Sequence, residues 1–92
     1  MTPTERAVLT IVNELGLHAR AATRFVQAAS RFSSEIFVTK GDREVNGKSI
    51  MGMLMLVAAK GSQIAVRAEG SDAREAVAAL RTLVEGGFGE ER

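Results

Sequence analysis

Three residues of this 92-residue chain have types and surroundings that could do chemistry: His18, Arg20 and Ser49. His18 is the only histidine, and it lies in G-L-H-A-R-A-A, where a glycine turn gives way to a helix start. The first N–H groups of a helix lack partners, and the aligned peptide dipoles put partial positive charge there. Ser, Thr, Asp or Asn ordinarily supplies the missing acceptor; this helix start has none in place. An uncapped start behind a glycine turn can accept an outside anion, phosphate above all. Arg20 would add a planar donor fork beside it. The positive terminus disfavours imidazolium, leaving a ring lone pair free for nucleophilic attack. Once the ring carries a phosphoryl group, the same field favours the dianion, so one arrangement serves both ends of a phosphoryl exchange.

A self-sufficient kinase would need more than this. The chain has no glycine-rich phosphate loop, no paired magnesium-binding carboxylates and no second histidine. Such a site can hold a phosphoryl group but has little with which to make one, and no cofactor or metal is expected. Taken locally, a histidine before a helix also reads as surface decoration, and Arg20 as a solvated helix charge. Ser49, in N-G-K-S-I-M-G, reads as a helix cap or as a hydroxyl whose phosphorylation switches what docks there. Ile50, Met51, Met53, Leu54, Met55 and Leu56 are more apolar than one buried face requires, so part of this segment is expected to be exposed.

The elements that must position these residues follow from periodicity. Ala7–Val12 reads as a strand closed by Asn13–Gly16. From Ala19 the apolar positions Ala22, Phe25, Val26, Ala29 and Phe32 step at helical intervals. Ile36 and Val38 alternate as a strand, and Gly41–Asp42 marks a tight hairpin into Arg43–Asn46. A second helix is expected from Ser49 to about Ala59, with Gly61 as its stop. Gln63–Glu69 alternates Ile64, Val66 and Ala68 inward. The last helix opens with Asp72 and Glu75 at capping-box spacing, carries Ala76, Val77, Leu80, Leu83 and Val84 on one stripe, and ends at Gly86–Gly87. The order β-α-β-β-α-β-α predicts an α+β open-faced sandwich, an antiparallel sheet covered on one face by helices.

Length and composition bound the function. Ninety-two residues make one small domain, residues 1–92, with no linker or low-complexity tract. The absence of cysteine excludes disulfides and thiolate metal sites. The longest wholly apolar run, Met53–Ala59, is too short to insert across a membrane, which takes about 20 residues. The first residues lack an apolar signal region, so the cytoplasm is the expected compartment. A net charge of +1 without basic blocks gives no footprint for nucleic acid. A small α/β ligand- or RNA-binding module is the alternative of another class, but four phenylalanines without tyrosine or tryptophan suit it poorly.

Taken together, G-L-H-A-R, F-V-Q-A-A, S-E-I-F-V, N-G-K-S-I-M-G and A-E-G-x-D fall in the order of a known family. The chain resembles the HPr family, the histidine-containing phosphocarriers of the bacterial phosphoenolpyruvate-dependent phosphotransferase system, over residues 7–88. The resemblance implies a four-stranded antiparallel sheet with three helices on one face. It implies that His18 accepts a phosphoryl group on Nδ1 from Enzyme I and donates it to IIA-type domains of sugar permeases or of a regulatory branch. Arg20 would pair with that phosphoryl group. Ser49 would be the target of an HPr kinase/phosphorylase, and Lys48, Ile50, Met51 and Arg24 would belong to the partner-docking surface. Such a protein is a carrier and not an enzyme with its own turnover. A nitrogen-type regulatory carrier without sugar transport is the alternative within the family. The family commonly has proline after H-A-R where this chain has Ala21; alanine adds an N–H donor to the first turn.

Overall fold

The computed structural model describes residues 2–91 of the chain. Its elements run β1 (Thr4–Thr10), α1 (Ala19–Ala29), β2 (Glu35–Lys40), β3 (Arg43–Asn46), α2 (Ile50–Met55), β4 (Gln63–Glu69) and α3 (Ala73–Glu85), followed by a short 3-10 turn, η1 (Gly87–Gly89). The strands form one antiparallel sheet in the order β1-β4-β2-β3. The expected four-stranded, one-face-covered sheet is therefore the fold.

Period-two alternation sends Ala7 and Leu9 of β1, Ile36 and Val38 of β2, and Ile64, Val66 and Ala68 of β4 to the helix side, all buried. Phe25 and Ala22 of α1 and Ala76, Leu80 and Val84 of α3 close over them. The other face stays open. There Arg67 lies 4.3 Å above the Phe37 ring and bonds Glu44 and Glu69, each at 2.9 Å.

Three elements differ in their bounds from the sequence expectation, β1 also closing at Thr10 and not at Val12. β1 begins at Thr4, because the polar T-E-R segment is zipped to Glu69, Ala68 and Arg67 of β4, a partner that local pattern cannot reveal. α1 stops at Ala29, and Phe32 follows in a tighter turn, its N–H bonding the Ala29 carbonyl at 3.2 Å. α2 ends at Met55 well short of Ala59, since Val57 turns left-handed at φ 50° and breaks the helix long before Gly61. That reversal drives both Leu56 and Ala58 into the core.

The capping box expected at α3 does not form. Asp72 occupies the cap position without a capping bond. Its carboxylate instead accepts the Ser33 and Ser34 N–H groups, each at 2.9 Å, together with both hydroxyls. Four donors of the α1–β2 turn outcompete one helix amide, so Asp72 ties that turn to the start of α3. The bond from the Ser34 hydroxyl, with that from the Ser33 amide next, holds the Asp72 carboxyl down to about 2, against an ordinary 3.8.

A carboxyl depressed by folding contributes stability that is complete above its unfolded value and is lost as pH falls through the folded one. Asp72→Asn should therefore lower Tm at neutral pH. The gap between variant and parent should close between about pH 4 and pH 2 as the parent's carboxylate protonates. Thermal melts followed by circular dichroism across that range read it.

Candidate functional site

His18 is the cap residue of α1, in extended conformation (φ −83°, ψ −176°), and its side chain makes no capping bond. Its carbonyl accepts the Ala22 N–H at 2.8 Å, which starts the helix. Among the described residues, the N–H groups of Ala19, Arg20 and Ala21 have no hydrogen-bond partner. The open, positive helix start expected from the sequence is present, and the Ala21 amide is the donor that a proline would delete.

The loop ahead of the helix is held from two sides. Leu17 N–H bonds the Ala58 carbonyl at 2.9 Å, and buried Asn13 donates from Nδ2 to the Gly16 carbonyl at 2.8 Å. Gly16 sits at φ +68°, and a Cβ there would lie 2.7 Å from the Ala58 carbonyl oxygen. Only glycine satisfies both the left-handed backbone and the close approach. The left-handed Val57 thus reaches the histidine indirectly: by ending α2 early it presents the Ala58 carbonyl to the His18 loop.

The chain end supplies what the sequence reading missed. Gly87, Phe88 and Gly89 have φ of 68°, 56° and 75°, three left-handed residues in succession. Phe88 is buried in the core. Burying that ring contributes about 2–3 kcal/mol, more than the roughly 1–2 kcal/mol that left-handed backbone costs a non-glycine residue. Arg24 Nη1 donates to the Phe88 carbonyl, and Glu14 N–H bonds the Glu91 carbonyl at 2.9 Å. So anchored, the turn lays Glu90 against the histidine. His18 Nε2 is 2.9 Å from Oε1 and 2.8 Å from Oε2 of Glu90. Asn13 Nδ2 also donates to Glu90 Oε1, at 3.1 Å, and Arg24 Nη1 lies 4.0 Å from Oε2. The bond to His18, above all, holds the Glu90 carboxyl below its usual range, helped by Asn13 and Arg24. Nδ1 of His18 has no partner among the described residues. A buried phenylalanine between two glycines just after a helix was the available sequence signal, but it does not say where the next side chain points.

The remaining expected residues divide. Arg20 is exposed, makes no hydrogen bond or ion pair among the described residues, and lines a shallow depression with Arg24, Glu14 and Glu90. Arg24 is engaged with the terminal turn. Ser49 caps α2, its Oγ accepting the Gly52 N–H at 3.0 Å. Ile50 and Met51 are exposed, Met51 by 69 %, as are Met55, Val57 and Leu15, while Met53 and Leu56 are buried. Lys48 is turned inward, donating from Nζ to the Phe32 carbonyl at 2.7 Å.

The structure thus defines a small open-faced sandwich that presents a histidine at an uncapped helix start. Comparison with known proteins makes this specific. The family model described as the PTS HPr component phosphorylation site matches residues 5–86. The phosphocarrier protein HPr of Neisseria meningitidis serogroup A is 58% identical over 80 residues, 87% of this chain and 90% of that protein. The phosphocarrier protein NPr of Shewanella violacea is 43% identical over 90 residues, 98% of each chain. The crystal structure of HPr-C-His from Thermoanaerobacter tengcongensis superposes with a TM-score of 0.92 at 48% identity, covering 96% of this chain and 99% of that one. The chain belongs to the HPr family of phosphocarrier proteins.

The loop geometry makes two opposite predictions for denaturant midpoints. Gly16→Ala should cost about 1–3 kcal/mol, from strained backbone and the clash with Ala58. Val57→Gly should stabilise by up to about 1 kcal/mol, since an exposed β-branched side chain is released from left-handed backbone.

Proposed function

We propose that this chain is a cytoplasmic phosphocarrier of the phosphoenolpyruvate:sugar phosphotransferase system. Its single domain accepts a phosphoryl group from phospho-Enzyme I on Nδ1 of His18 and passes it to IIA domains. The observation that carries this reading is the pairing of Nδ1 with three helix amides, Ala19 to Ala21, all without a partner among the described residues, at one positive terminus. Arg20, uncommitted to any described partner, supplies the mobile donor fork for the incoming dianion. The protein turns nothing over by itself; it is a covalent intermediate between two phosphotransferases and takes no cofactor.

Docking falls to the exposed Ile50 and Met51 of α2, with flexible methionine suited to several partners. Lys48 acts there through its inward bond to the α1 end, and Arg24 through the terminal turn. Ser49 is the regulatory hydroxyl, open to an HPr kinase/phosphorylase. It is half-buried at the start of α2, where a phosphate gains from neighbouring amides but brings dianionic charge beside the apolar patch. Among the described residues no helix is long and apolar enough to cross a membrane, which suits a carrier that diffuses between partners. The nitrogen-type regulatory reading is favoured by one observation, the NPr likeness over 98% of the chain; the higher identity to an HPr favours the sugar branch.

With Enzyme I, magnesium and labelled phosphoenolpyruvate, the protein should acquire an acid-labile label that His18→Ala lacks. Arg20→Ala should slow labelling about tenfold or more, the loss of one charge-assisted hydrogen bond. With an HPr kinase and ATP, an acid-stable label should appear and be absent in Ser49→Ala. An unlabelled parent beside an active Enzyme I overturns the carrier reading.

A further inference from the structure

The reading of His18 as a phosphoryl acceptor says nothing of the ring's other nitrogen, which the terminal turn has engaged. A carboxylate is an acceptor only, so a contact of 2.8–2.9 Å between Glu90 and Nε2 places a proton on Nε2. That assignment leaves the lone pair on Nδ1, the nitrogen with no described partner. The amide of Asn13 cannot be reversed to compete, because its Nδ2 already donates to both the Gly16 carbonyl and Glu90, and an oxygen there would face two acceptors.

We propose that Glu90 is a positioning residue for phosphoryl exchange at His18, holding the proton on Nε2 so that Nδ1 attacks as a free lone pair and departs as neutral imidazole. The inference rests on the carrier reading and deepens it. On acceptance the Nδ1 pair forms a bond to phosphorus, and the donor's bond to phosphorus breaks with its pair staying on the donor. The Nε2 proton does not move, and the positive charge gained by the ring faces the Glu90 carboxylate. On donation the phosphorus–nitrogen pair returns to Nδ1 as the acceptor bonds phosphorus. Without the Nε2 proton the leaving group would be imidazolate, a far poorer one, and the phosphoryl group would be trapped.

The charges around the ring allow Glu90 this role. It is the only anion bonded to His18 among the described residues. Arg24, from α1, lies 4.0 Å from its Oε2 but donates its hydrogen bond to the Phe88 carbonyl, leaving both carboxylate oxygens on the ring. The positive start of α1 stands beside the ring, and Glu90 supplies its acceptor at the nitrogen that must keep its proton. Arg20, Glu14 and Glu91 line the depression alongside and have no bond to the imidazole.

The test uses the intact chain phosphorylated with phosphoramidate, a chemical donor that requires no Enzyme I. Phosphorus NMR then follows loss of the phosphoryl group against pH for the parent, Glu90→Ala, Glu90→Gln and Glu90→Asp, with folding checked by the protein's amide spectrum. Removing a carboxylate in contact with the ring should move the midpoint of the pH profile about one unit toward acid. Above that midpoint loss should slow about tenfold, with the acid plateau unchanged. Glu90→Gln, whose amide oxygen still accepts but carries no charge, should shift less than Glu90→Ala, and Glu90→Asp should recover part of the shift. A folded Glu90→Ala whose profile overlays the parent's overturns the proposal, as does a parent phosphorylated on Nε2. Failure with Enzyme I in the earlier assay alongside a shifted profile here would sink the carrier reading while leaving the role of Glu90 standing.

Discussion

His18 is caught between two opposing fields, and the surrounding structure is arranged to keep it there. On one side stands the start of α1, with three amides that have no acceptor among the described residues. On the other stands one carboxylate, Glu90, brought in from the opposite end of the chain. The first is placed to meet added negative charge, and the second accepts the hydrogen of Nε2. A phosphoryl carrier needs both, because it must bind a dianion and also release it. Neither field would survive if the histidine loop or the terminal turn were free to drift.

Each support is a small device with a physical reason. Gly16 is left-handed and pressed to the Ala58 carbonyl, so the loop enters α1 at one angle only. Val57 accepts unfavourable backbone to end α2 where Ala58 can receive it. Phe88 is driven into the core hard enough to hold a left-handed turn around it, and Arg24 fastens the turn by its carbonyl. At the far end of α1, the Asp72 carboxylate clamps Ser33 and Ser34 and sets the path into β2. The exposed surface of α2 is the complement: Met53 secures the helix from below while Ile50 and Met51 face outward.

The site's functional vocabulary is therefore divided by distance along the chain. Residues proposed to touch the transferred group, His18 and Arg20, are neighbours in sequence and sit at the start of one helix. Residues linked to the other side of the ring, Glu90 directly and Asn13 through it, are separated by most of the domain. Arg24 belongs with the second set: it acts on the imidazole only through the segment it holds in place.

What the sequence by itself determined is whatever depends on nearby residues. Strand alternation in Ile36–Val38 and Ile64–Ala68, the helical stripe from Ala22 to Ala29, the Gly41–Asp42 hairpin and the missing cap before Ala19 all rest on contacts within a few positions, and all are present. The G-L-H-A-R and G-K-S-I-M-G motifs likewise carried the family. Only the tertiary structure decided the pairing of Thr4–Arg6 with β4, the diversion of Asp72 from its helix to Ser33 and Ser34, the inward turn of Lys48, and Glu90 upon His18. In each of these a polar group chooses among acceptors or donors brought close by packing. Local pattern records a group's capacity to bond, but which partner stands within 3 Å is set by the path of the whole chain.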